Sequence, residues 1–108
     1  MARQIWVNES PYTMIEGESI AFSHEWAGAS SVSSVASTLW KDGEDYSSTG
    51  LSGSDSDPSN NIQTARTVTA QSGDSGSRYV LEFQAVVDGN TLNRKLEIII
   101  VSASDEQS

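Results

Sequence analysis

Tyr79-Val80-Leu81-Glu82-Phe83-Gln84-Ala85-Val86-Val87, then Asp88-Gly89-Asn90, then Thr91-Leu92-Asn93-Arg94-Lys95-Leu96-Glu97-Ile98-Ile99-Ile100, is the most regular pattern in the chain. In its first half Tyr79, Leu81, Phe83, Ala85 and Val87 fall on every second position. In its second half Leu92, Leu96, Ile98 and Ile100 resume the same period, which Arg94 breaks. A period of two places such residues on one face of a strand. Glycine tolerates the positive φ of a tight turn, so two alternating runs around Asp88-Gly89 predict a β-hairpin. A hairpin with one apolar face needs a second sheet to cover it.

The preceding chain is expected to supply that cover. Ile5-Trp6-Val7 predicts a short edge strand, and Pro11 fits an edge or a strand switch because it donates nothing to a ladder. Tyr12, Met14 and Ile15 continue the strand until Gly17. Ile20, Phe22, His24 and Trp26 alternate with smaller or charged residues and predict another strand. Residues 28–34, small and polar, predict a loop. Around Val35–Trp40 both faces carry apolar side chains, so the inward face stays open between Leu39 and Trp40. Lys41-Asp42-Gly43-Glu44 reads as a turn, and 47–61 as a long polar loop with at most a short edge strand near Tyr46 and Leu51. The β-branched run Thr67-Val68-Thr69 supports a strand over 62–70, with Thr64, Arg66, Val68 and Ala70 on one face. Residues 71–77 are a Gly- and Ser-rich turn. No helical period exceeds one turn. Roughly seven short strands with frequent turn signals predict an all-β sandwich, organised as one domain over 1–101 with a flexible acidic tail at 102–108.

Composition narrows function. The chain has 108 residues, a net charge of −9 from fifteen acids and six bases, and no Cys. Disulfides and thiolate metal sites are thereby excluded. The acidic balance argues against a nucleic-acid partner, which requires a basic footprint, and against anionic membranes. No run approaches the ~20 apolar residues of a membrane helix. The opening Met1-Ala2-Arg3-Gln4-Ile5-Trp6 lacks the apolar run of a signal peptide. A soluble protein is expected, and one that works outside a cell would leave without a cleavable signal, for instance by lysis inside an assembled particle.

Several motifs resemble an immunoglobulin-like domain. Gly17-Glu18-Ser19-Ile20-Ala21-Phe22 is similar to the opening of strand B. Trp40-Lys41-Asp42-Gly43 is similar to the strand C tryptophan and the turn after it. Asp74-Ser75-Gly76-Ser77-Arg78-Tyr79-Val80-Leu81 is similar to the E–F corner, with one residue more after Gly76 than the usual spacing. The resemblance runs from about Ile5 to Val101. It implies a Greek-key sandwich in which Tyr79 bonds back to the backbone as a tyrosine corner. It also implies that Leu81 stands where antibody domains carry their second Cys, faced by Phe22 or Ile20. The Cys pair itself is missing, and a fibronectin-type or other Greek-key sandwich fits the same pattern. In size, acidity and lack of Cys the chain is further similar to small immunoglobulin-like accessory proteins of tailed bacteriophages.

His24 is the single His, so any His-based acid–base scheme must use it; its phase with Phe22 favours a structural role. The carboxylates could furnish a glycosidase pair, yet most fall in turns or at outward positions. Asp42, Glu44, Asp45, Asp55, Asp57, Asn60 and Asn61 offer hard oxygen ligands for Ca²⁺ at a spacing that matches no known cage. Trp26 or Trp40 is expected to fill the core. Asn8-Glu9-Ser10 matches a glycosylation sequon, which the following Pro11 reads as chance. The expected function is therefore non-enzymatic, without cofactor or metal. A virion accessory protein is expected, decorating a capsid or associated with a neck or tail. It would dock on other virion proteins, as monomer or homo-oligomer, through Arg3, Gln4, Ile5, Trp6 and Val7. The alternative is a carbohydrate- or cell-surface-binding module using Trp40, Tyr46 and the acidic loop, with or without calcium.

Overall fold

A computed structural model describes residues 4–6, 11–55, 58 and 61–102, the first three as backbone. Arg3, Val7, the sequon at 8–10, Asp57, Asn60 and all of the acidic tail but Ser102 lie outside the described residues.

Ten strand segments form two sheets, among the described residues. The first sheet contains β1 (Gln4–Trp6), β3 (Ser19–Glu25), β6 (Leu51–Ser52), β7 (Ile62–Thr64) and β8 (Thr67–Thr69). Its order is β1-β3-β8-β6, with β7 also on β3. The second sheet contains β2 (Tyr12–Ile15), β4 (Val32–Lys41), β5 (Glu44–Asp45), β9 (Arg78–Val87) and β10 (Asn90–Val101). Its order is β2-β10-β9-β4-β5. A single turn of helix, α1 (Ser47–Gly50), links β5 to β6. No helix among the described residues is long and apolar enough to cross a membrane.

The segments outnumber the seven expected strands because two strands are divided and because Glu44–Asp45, next to the expected turn, pairs back on β4 as β5. The first is shared between the sheets: β1 runs parallel to β3, with Gln4 opposite Ala21, and β2 runs parallel to β10, with Met14 opposite Ile100. The strand expected over 62–70 breaks at Ala65-Arg66. Before the break Gln63 and Ala65 are buried, and after it Val68 and Ala70 are. The break shifts the alternation by one, so Thr64 and Arg66 do not share the face of Val68.

The hairpin forms as its period dictates. β9 and β10 pair antiparallel from Val87/Asn90 to Arg78/Ile99. Asp88 and Gly89 have φ of 50° and 86°, the doubly left-handed turn that suits the twist of paired strands. Tyr79, Leu81, Phe83, Leu96, Ile98 and Ile100 are fully buried, each contributing about 1.5–3 kcal/mol by leaving water. Leu39 lies opposite Leu81 and is fully buried, while Trp40 is half-buried on the outer side. The ambiguity over β4 thus resolves to Leu39 inward. Of the two candidate core tryptophans, Trp26 is the one that enters the core, at 4% exposure.

Polar ties bind the sheets in a chain without disulfides. Gln63, fully buried on β7, accepts the Trp26 indole N–H at 3.0 Å. Its amide nitrogen donates across the core to the carbonyls of Ala36 (3.1 Å) and Gln84 (3.3 Å). These two residues lie opposite each other where the β4–β9 register shifts past Ser34, whose φ is 52°. Arg66, at the break, donates to the Ser37 carbonyl and hydroxyl, and that hydroxyl donates to Asp55 at 2.6 Å. Every buried side-chain nitrogen and oxygen among the described residues has a partner.

Candidate binding cleft

The two ends of the sandwich are built differently. At one end, where β9 begins, the turn before it folds over the end of β4. Asp74 accepts hydrogen bonds from Lys41 Nζ (2.8 Å), Tyr46 Oη (2.9 Å) and Tyr79 Oη (2.5 Å). The Tyr79 hydroxyl also accepts the backbone N–H of Gln71 at 3.1 Å, the backward bond that the resemblance implied for this residue. Burial pushes the Asp74 carboxyl up, but the bonds from Lys41, Tyr79 and Tyr46 outweigh it and hold it below its ordinary value. Burial, and then the bond to Asp74, raise both phenols. The bond to Asp74 raises Lys41. This corner is closed and its polar groups are matched.

At the other end the sheets part. β3 runs out at Glu25, and the β9–β10 turn stands opposite it. Between them opens a cleft of about 340 Å³ lined by His24, Trp26, Ala27, Val87, Leu92 and Arg94, together with Glu25, Gly28, Ala29 and Asp88. Its floor is Trp26, buried and with its indole N–H donated to Gln63. The His24 ring meets Trp26 edge-on at 4.6 Å and lies 6.0 Å from Phe83. Burial, and then the charge of Arg94, lower the His24 pKa from its ordinary value. Arg94 pairs with Phe83 in the ladder and so belongs to the inward register of β10, yet it is exposed. Its guanidinium lies over the Trp26 ring at 5.1 Å, a cation–π arrangement. Asp88 is drawn away from it, accepting the N–H groups of Ser30 and Ser31 at 2.8 Å each.

The residues singled out from sequence are dispersed. Gln4, Ile5 and Trp6 form β1 at the outer edge of the first sheet. His24 reaches the cleft, against Trp26 rather than a nucleophile. Trp40 and Tyr46 do not share a site. Trp40 donates to Glu82 at 3.1 Å on the outer sheet face, in a shallow hollow of about 460 Å³ with Gly43, Val80 and Lys95. Tyr46 turns to the closed corner, 5.5 Å from the ring of Tyr79. Among the acidic-loop residues, Asp45 accepts the Ser47 N–H, Asp55 serves Ser37, and the Asn61 amide donates to the Ala29 carbonyl. No three His, Asp or Glu side chains converge among the described residues. Arg94 is the site residue that reading for function missed; its signal was the gap it leaves in the apolar alternation.

No family model matches the chain, and no curated protein matches it either.

Proposed function

We propose that the chain is a non-enzymatic docking module, an immunoglobulin-like sandwich that attaches to a larger protein assembly, most simply as an accessory protein of a phage virion. The observation that carries the reading is the position of β1. It is three residues long, it pairs with β3 on one side, and it ends the order of the first sheet. Its outer backbone groups can extend a partner's sheet by strand addition. Two further features support it. The strand order β1-β3-β8-β6 facing β2-β10-β9-β4-β5, with the Tyr79 corner, fits an immunoglobulin-like Greek key. Three polar side chains of the interior and its margin, Ser37, Asp55 and Asp74, are engaged in ties between segments of the chain.

The test is cosedimentation and electron microscopy of virions from the strain encoding the chain. The full chain is expected at a regular position on the particle. A chain lacking residues 1–7 is expected to stay folded by circular dichroism and to leave the particle. A full chain found free of any particle overturns the reading. The hollow beside Trp40 favours one second reading, a sugar-binding face, since an indole flanked by Glu82 and Lys95 can stack on a ring and bond its hydroxyls. A glycan array in which Trp40→Ala abolishes a signal would establish it.

A further inference from the structure

We infer that the open-end cleft binds a single carboxylate presented by a partner polypeptide beside an apolar side chain, with Arg94 as the carboxylate's ligand. The inference rests on the docking reading above and names the chemistry of one contact.

Arg94 carries it. Of the guanidinium donors, Nη1 reaches the Asn93 carbonyl at 2.8 Å. Among the described residues no carboxylate pairs with it, whereas Lys41, Arg66 and Arg78 each face one. The guanidinium is held over Trp26, which is itself fixed by Gln63. A planar fork held in place with free N–H groups suits bidentate capture of a carboxylate. The position is also out of pattern: the register of Phe83 and Leu96 calls for an apolar residue, and departures of this kind concentrate at working sites.

The surroundings select the ligand. Glu25 and Asp88 also line the cleft and the chain carries a net charge of −9. A doubly charged phosphate meets more repulsion there than a monoanion does. Leu92, Val87 and Ala27 give the wall beside Arg94 an apolar character, and about 340 Å³ accommodates a pair of side chains rather than an extended glycan. Trp6 lies opposite Ser23, so β1 ends one residue short of His24. A partner strand running along β1 is thereby led to the same end of the sandwich.

The experiment is heteronuclear NMR on the full chain, following the Trp26 indole N–H and the Arg94 Nε–H. The probes are acetyl-Leu-Glu-amide, acetyl-Leu-Gln-amide, inorganic phosphate and glucuronate at millimolar concentration. The Glu peptide is expected to shift both resonances and saturate. The Gln peptide, and the Glu peptide on Arg94→Gln, are expected to bind at least about tenfold more weakly, the loss of one charge-assisted pair. Arg94→Lys is expected to fall between. Equal binding by Arg94→Gln, no shift with the Glu peptide, or a response to phosphate or glucuronate in its place overturns the inference. The docking reading fails separately. If Arg94→Gln stays on the particle and binds the Glu peptide normally while the chain without residues 1–7 detaches, this inference falls and the docking reading stands.

Discussion

The closed corner and the open cleft lie at opposite ends of the same strands, and both are built on a charged residue where the sandwich needs an end. At the corner Asp74 is buried, and three donors converge on it. At the cleft Arg94 is exposed and rests on an indole without a carboxylate partner among the described residues. An ion with its donors matched serves stability, because removing any partner strands the rest. An ion held in place but unmatched adds little to stability and keeps its bonding capacity for something else. Substitutions should therefore be costly at the corner and under the cleft floor, and cheap at the cleft rim.

The largest effect is expected at the floor. Gln63→Leu removes the acceptor of the Trp26 N–H and the donor to two carbonyls in the core, and should cost about 3–4 kcal/mol, read as a fall in urea midpoint at unchanged slope. Asp74→Ala comes next, at about 3 kcal/mol, because it leaves the buried Tyr79 hydroxyl and the half-buried Tyr46 hydroxyl without their acceptor. Tyr79→Phe should cost about 1–2 kcal/mol, since Asp74 keeps Lys41 and Tyr46. A Gln63 variant as stable as the native chain would erase the contrast between floor and rim.

The pattern-bearing elements were legible in the sequence, and the ties between them were not. The all-β sandwich followed from alternation around Asp88-Gly89, because period and turn chemistry are local. The inward face of β4 was undecidable from local pattern, since Leu39 and Trp40 are both apolar; register opposite Leu81 settles it. The break at Ala65-Arg66 was invisible because its cause is remote: the Arg66 N–H bonds the Ser37 hydroxyl, 29 positions away. Lys41 and Tyr46 reach Asp74 across 33 and 28 positions, so the corner showed only as a resemblance at Tyr79. Arg94 stood out as a gap in the alternation, but the indole beneath it comes from the other sheet.

The pH dependence of stability should divide between the two ends. Asp74 is held below its ordinary value, so its contribution is present above the unfolded carboxylate pKa of 3.8 and is lost as pH falls through the folded one. The pKa of His24 is also depressed in the fold. Below 6.5 the unfolded chain takes up the proton first, and stability begins to fall there. Lys41, Tyr46 and Tyr79 are raised, so their contributions hold below about pH 10 and decline above it, as the unfolded chain gives up these protons first. Thermal melts should show a plateau between these limits. His24→Phe should remove the first step on the acid side and leave the later, Asp74-dependent one.

The smallest effect is the most telling. Arg94→Leu restores the apolar alternation of β10 and places a methyl-rich side chain on Trp26 in line with Leu92 and Leu96. It loses the cation–π contact, of about 0.5–1 kcal/mol at an exposed site, and gains apolar burial of similar size. The net change in stability should therefore lie within about 0.5 kcal/mol, read from the urea midpoint. A loss comparable to that of Asp74→Ala would mean that the guanidinium holds the open end together as the carboxylate holds the closed one. The two ends would then differ in exposure but not in kind. A neutral result shows that the fold does not need a cation at this inward position, and leaves its free donors available to a bound carboxylate.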